Sequence, residues 1–138
     1  MNPIDKNELA HWEQYKWFTK TQFDCKHTGK NQMKHFFMLQ LEELAAACGF
    51  RILVSSGFRD VTHPEEAKKG STTGAHSEGI AVDLMVSHEQ AYIVLDRAMK
   101  LGFTGIGLNQ RGDIKSRFIH LDLSEAKGGR PRPHVWSY

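Results

Sequence analysis

Apolar positions recur along this chain with two different periods. From Met33 to Cys48 they fall at Phe36, Phe37, Leu41, Leu44 and Ala45, the spacing of one helix face, and Gly49 supplies a left-handed stop. A second helix is predicted after Ser87, which has Gln90 at capping-box spacing. It runs to about Leu101, with Ile93, Val94, Ala98 and Leu101 inward and Gly102 as its stop. Elsewhere the period is two. Arg51–Ser56 reads as a strand ending at Gly57. Ile80–Val86 reads as another, with Ile80, Val82 and Leu84 on one face and Ala81, Asp83 and Met85 on the other. FTGIGLN (103–109) and Arg117–Leu123 are the third and fourth strands. A short helix is expected around Glu8–Tyr15, and FDCKHTGKNQ (23–32) reads as a loop. Residues 58–75 are loop-rich, with a helical turn opened by Pro64 through Lys69 and a small, flexible GSTTG run. Asn109–Ser116 is a polar turn. Pro131 and Pro133 keep the tail GGRPRPHVWSY from forming a regular helix. Two helices interleaved with short alternating strands predict an α+β fold, a small and mainly antiparallel sheet with flanking helices. With no internal repeat or low-complexity linker, residues 1–138 read as a single domain.

Composition adds limits rather than direction. The 138 residues, 40% hydrophobic and 25% charged, suffice for one core. A net charge of +2 without a basic stripe argues against a nucleic-acid partner, while permitting weak contact with an anionic polymer such as a bacterial cell wall. Cys25 and Cys48 make no disulfide framework. Cys48 reads as a small core residue, and Cys25 with His27 is a weak metal-ligand pair set against a plain structured turn. No basic segment followed by an apolar one opens the chain, and no run is long enough to cross a membrane. The expectation is synthesis in the cytoplasm without a signal peptide and no membrane insertion. A monomer is the expected state.

The chemistry lies in GAHSEGIAVD and FIHLDL, where His76, Asp83, His120 and Asp122 interrupt apolar strand residues. A buried imidazole or carboxylate is costly without a partner, and two His with one Asp suit a shared Zn²⁺. If the two strands pair, Asp83 and His120 converge on one face, and His76 enters from the preceding loop past Gly79. Three protein ligands leave a fourth tetrahedral position for water, as in catalytic zinc sites. Taken singly, a strand Asp is usually an edge residue and a lone His a satisfied core residue. Spacing alone leaves the two readings level.

The pattern His76, Gly79, Ala81, Asp83, followed by FIHLD, resembles the zinc D-Ala-D-Ala carboxypeptidase family, grouped with lysostaphin-type peptidases and the hedgehog signalling domain. SGFRD (Ser56–Asp60) resembles that family's Ser-Gly-aromatic-Arg element. THPEEAKK, GFTGIG and RPRPHVWSY look like its phage and prophage branch, and the resemblance covers roughly Phe18 to Tyr138. It implies a hedgehog/D-Ala-D-Ala peptidase-like fold, Zn²⁺ held by His76, Asp83 and His120, and a substrate among peptidoglycan stem or cross-bridge peptides. It implies that Arg59 binds a substrate carboxylate or steadies the oxyanion. The function implied is hydrolysis of a peptidoglycan peptide bond by a carboxypeptidase or endopeptidase, acting on the wall after release or within a virion. The alternative is a catalytically inactive, zinc-containing wall-binding or assembly module. One departure keeps that alternative open. Many members carry Glu or Asp three residues before the second His, where this chain has Arg117, and Phe118 excludes a His-x-His variant. Asp122 shares a face with His120, so it serves either as the general base or as the group that orients His120. His134 is a further candidate for proton transfer. Ser71, Thr72 and Thr73 could line a peptide groove or form a flexible linker, Trp136 and Tyr138 could stack on substrate or pin the tail, and His63 reads as a turn residue.

Overall fold

The computed structural model describes residues 4–68 and 74–138. Ser71, Thr72 and Thr73 therefore lie outside the described residues. Helix α1 (His35–Cys48) closes at Gly49 in the left-handed conformation (φ 75°), and strand β1 (Leu53–Ser56) follows. A single turn, α2 (Pro64–Ala67), precedes strand β2 (Ala81–Met85) and helix α3 (His88–Leu101). Strands β3 (Gly105–Asn109), β4 (Phe118–Asp122) and β5 (His134–Ser137) complete one five-stranded sheet in the order β1-β2-β4-β3-β5. The fold is α+β, as the periodicities predict.

Strand alternation gives the sheet two different faces. Val82 and Leu84 of β2, Ile119 and Leu121 of β4 and Ile106 of β3 are buried in the core with Phe37, Leu41, Leu44, Val94 and Ala98 of the long helices. The helices meet above this face, where Gln40 of α1 donates to the Leu101 carbonyl at 2.8 Å and the Phe37 and Phe103 rings lie 6.1 Å apart. The opposite face carries Asp83, His120, Asp122, Gly105, Gly107 and Trp136. It is bordered by the loops before β2 and after β4 and by Glu65 of α2.

The sheet is mainly antiparallel as expected, with one strand added to it, and three expectations need correction. The tail is a strand: β5 runs parallel to β3, with Gly105↔His134 and Gly107↔Trp136 as partners, so the sheet is mixed. Pro131 and Pro133 exclude a helix but lie before β5, so neither removes an N–H from its pairing with β3. Instead of a helix over Glu8–Tyr15 there is a 3₁₀ turn at Trp12–Gln14, because Leu9 bridges Lys34 and holds the chain extended. The Ser87–Gln90 capping box does not form. Ser87 makes no side-chain cap bond, and His88 enters α3 at φ 51°, away from the geometry a cap needs. Cys48 is half-buried at the end of α1 and packs against the edge of the core rather than within it.

Candidate metal centre

Pairing of β2 with β4 makes Asp83 and His120 direct cross-strand partners. His76 comes from the turn before β2, which reverses at Gly79 with φ 74°. A Cβ on Gly79 would stand 2.1 Å from the Gln32 carbonyl oxygen, so both conformation and space require glycine. His76, Asp83 and His120 are all buried, and one donor atom from each lies within 4.8 Å of the others. Each imidazole is fixed at its outer nitrogen. His76 Nδ1–H donates to the Gly57 carbonyl at 2.8 Å, which turns Nε2 toward Asp83 Oδ1 at 3.4 Å. His120 Nε2 bonds Asp122 Oδ2 at 2.7 Å, which turns Nδ1 toward Asp83 Oδ1 at 3.1 Å. Ligand bonds near 2.0–2.1 Å in a tetrahedron put neighbouring donor atoms about 3.3 Å apart. The two separations from Asp83 Oδ1 bracket that value and the third pair lies within 4.8 Å, so the donor set suits a tetrahedral Zn²⁺.

The electrostatics favour a cation here. Burial would raise the Asp83 carboxyl, but His76 and His120 outweigh it and hold the group far below the usual carboxylate range. Burial would lower His120, yet its bonds to Asp122 and Asp83 hold it above the ordinary imidazole value. Positive charge between Asp83 and Asp122 is thus stabilised, whether a proton or a metal carries it.

Asp122 is fully buried and committed on both oxygens. Oδ1 accepts from Ser124 N–H at 3.1 Å and Arg132 Nε at 3.0 Å, while Oδ2 meets Arg132 Nη2 at 2.7 Å besides His120. Burial raises its carboxyl, and the His120 and Arg132 bonds bring it well below the normal range. Arg132 is a site residue that sequence reading passes over. It sits among prolines in an apparently irregular tail, and only the β5 pairing aims it at β4. Trp136 packs there too, 5.2 Å from the His120 ring with the Arg132 guanidinium 5.0 Å from its own. Gly105 and Gly107 make room for this layer. A Cβ at the first would lie 2.2 Å from Asp122 Oδ1, and at the second 2.7 Å from the Trp136 ring.

These residues form the floor of an open cavity of about 710 Å³, walled by Arg59, Glu65, Phe118, Lys127, Arg130 and Tyr138 among others. Arg59 Nη2 lies 3.3 Å from Asp83 Oδ2, its Nε donates to Ser56 Oγ at 3.1 Å, and Nη1 is 3.7 Å from Glu66. Glu78 holds the loop after β4 through Lys127 and through Arg130 at 2.7 Å.

The remaining candidates stand outside this arrangement. His134 is exposed and stacked on Trp136 at 5.6 Å, and it does not line the cavity. His63 caps α2, its Nδ1 accepting from Glu65 N–H at 3.1 Å. Cys25 is buried and accepts from Asp60 N–H at 3.4 Å, and it joins no metal-capable group among the described residues. Trp136 and Tyr138 both pin the tail and border the cavity, with Tyr138 5.1 Å from Phe118.

No curated protein matches the chain. A family profile does, that of Peptidase M15, and it spans residues 13–122. It therefore takes in Arg59, the turn at His76, and both strands that face the metal position. The chain belongs to the peptidase M15 family, a family of metallopeptidases that typically depend on zinc.

Proposed function

We propose that this protein is a zinc peptidase that hydrolyses a peptide bond in bacterial peptidoglycan. The observation that carries the reading is the buried His76–Asp83–His120 set at tetrahedral spacing on the floor of an open cavity. Zn²⁺ held there supplies a Lewis acid and an activated water at neutral pH. The protein's own groups do the rest. Arg59, on the cavity wall and one-fifth exposed, turns its guanidinium to the substrate carbonyl oxygen and stabilises the charge that develops there. Asp122 keeps His120 in the tautomer and orientation that present Nδ1, and Arg132 holds Asp122. With both its oxygens occupied, Asp122 is not the proton acceptor. Of the carboxylates lining the cavity among the described residues, Asp83 belongs to the donor set and Asp122 to the Arg132 pair, and Glu65, with one oxygen near Lys68 Nζ at 3.3 Å and the other open, takes the proton in this reading. Lys127, Arg130 and Arg132 outnumber the two carboxylates they pair with, Glu78 and Asp122, and leave this side of the cavity a net positive charge that suits a carboxylate-bearing peptide.

The tail and the THPEEAKK element support a phage or prophage setting, in which the protein reaches the wall after release or as part of a virion. Mass spectrometry of fragments released from defined peptidoglycan, with and without chelator, tests the activity and names the bond. New amino termini that vanish on chelation and return with zinc are expected. Hydrolysis that survives complete metal removal overturns the mechanism. Wall binding without new amino termini establishes instead the inactive binding module, the reading favoured by Arg117 standing where many members carry an acid.

A further inference from the structure

A second convergence of metal-capable side chains lies away from the cavity, where the N-terminal segment crosses the start of α1. Leu9 and Lys34 form an antiparallel bridge. Ala10 N–H donates to the Met33 carbonyl and His35 N–H to the Glu8 carbonyl, each at 2.9 Å. These bonds set the two backbones side by side and bring Glu8 and His11 to His35. His11 Nε2 lies 2.9 Å from Glu8 Oε1, and the His11 and His35 rings are 4.4 Å apart at 76°. One donor atom from each of the three residues falls within 4.8 Å of the others, the same convergence shown by His76, Asp83 and His120. There the two rings are 5.1 Å apart at 67°, a closely similar disposition.

A further contact marks the cluster as more than a surface ion pair. The Tyr15 hydroxyl lies 2.6 Å from His35 Nδ1 and accepts from His11 N–H at 2.9 Å. It fixes the His35 ring by Nδ1, and a histidine fixed at one ring nitrogen has the other to offer a metal. Two imidazoles and a carboxylate are the donors that zinc and its first-row neighbours prefer. The histidines are half-buried and Glu8 is exposed, so water completes the coordination sphere and the ion exchanges with solvent.

We propose that Glu8, His11 and His35 bind a divalent first-row cation, Zn²⁺ by preference, which clamps the N-terminal segment onto α1. The clamp bears on the peptidase centre. Lys34 N–H donates to the Gly79 carbonyl at 2.9 Å, and the Gln32 carbonyl packs against Gly79 itself. Fixing residues 32–35 therefore buttresses the turn that carries His76. Because the ion binds the folded chain and finds no assembled site in the unfolded one, it stabilises the fold by mass action.

The test compares the full-length wild type with the His11→Ala/His35→Ala variant by equilibrium dialysis against micromolar zinc, followed by metal analysis. The variant is expected to hold one equivalent fewer, and zinc titration should no longer give it the later rise in Tm expected of the wild type. Equal zinc content in the two proteins overturns the proposal. The readout is a difference between two proteins that share His76, Asp83 and His120, so it stands whether or not that centre is loaded. Should the variant not fold, NMR of the wild type decides. His11 and His35 ring resonances that shift together, saturating at one equivalent beyond that taken up by the cavity centre, support the site, and unmoved resonances overturn it.

Discussion

Asp122 shows how surroundings turn one carboxylate into one role. From the sequence it could be a base or a support, since strand alternation only places it beside His120. Its full burial, the paired bonds from Arg132 and the bond to His120 Nε2 leave neither oxygen for a substrate proton. Asp122→Asn keeps the volume and removes the charge. The expected outcome is zinc affinity weaker by about 10–100-fold, read by competition with a chromogenic chelator, with turnover largely restored at saturating zinc. Glu65→Gln should do the reverse. Zinc content stays at the wild-type level while turnover falls by roughly 100-fold or more, the usual scale of general-base loss. Unchanged turnover would remove Glu65 from the mechanism. Gly107 is a third case at this scale. A methyl group there would meet the Trp136 ring at 2.7 Å. Gly107→Ala is therefore expected to lower stability by about 1–3 kcal/mol in urea denaturation, the range for overpacking.

At the scale of elements, β2 and β4 were legible because each alternates strictly between core residues and metal-facing ones. The terminal strand β5 was not legible. His134, Val135 and Ser137 are all exposed, so the edge strand carries no apolar stripe, and two prolines precede it. Its pairing with β3 depends on a long-range match that no local pattern encodes. Yet this strand and the segment leading into it bring Arg132 to Asp122 and Trp136 to His120, and both residues lie outside the region shared with the family. Arg132→Ala strands a fully buried carboxylate and should cost about 3–5 kcal/mol of unfolding free energy. Arg132→Lys keeps the charge but not the two-pronged geometry, so it should recover only part of that loss. Equal stability of all three proteins in urea would show that the tail does not support the centre.

For the whole molecule, one sheet separates two jobs. Its apolar face builds the core with α1 and α3, and its polar face holds the metal-capable set under loops. Removing zinc should therefore leave the core assembled but lower Tm, since an ion present at a thousandfold excess over its Kd adds about 4 kcal/mol to the folded state. Scanning calorimetry before and after chelation checks this. His76→Ala and Asp83→Ala are each expected to abolish that zinc-dependent gain along with zinc retention at this centre. By itself the sequence determined the long helices, four of the strands and the identity of His76, Asp83 and His120 as metal-capable residues. The helices and strands are written in local periodicity, while the three residues needed the resemblance to the peptidase family besides their polar side chains set among apolar neighbours. Only the tertiary structure decided what Asp122 is bonded to, that Arg132 and Trp136 lie beside His120 and Asp122, and that Glu8 and His11 meet His35. Each of these depends on which distant segments lie side by side, and that is fixed by burial of the whole core and by backbone pairing across the sheet rather than by any stretch of neighbouring residues.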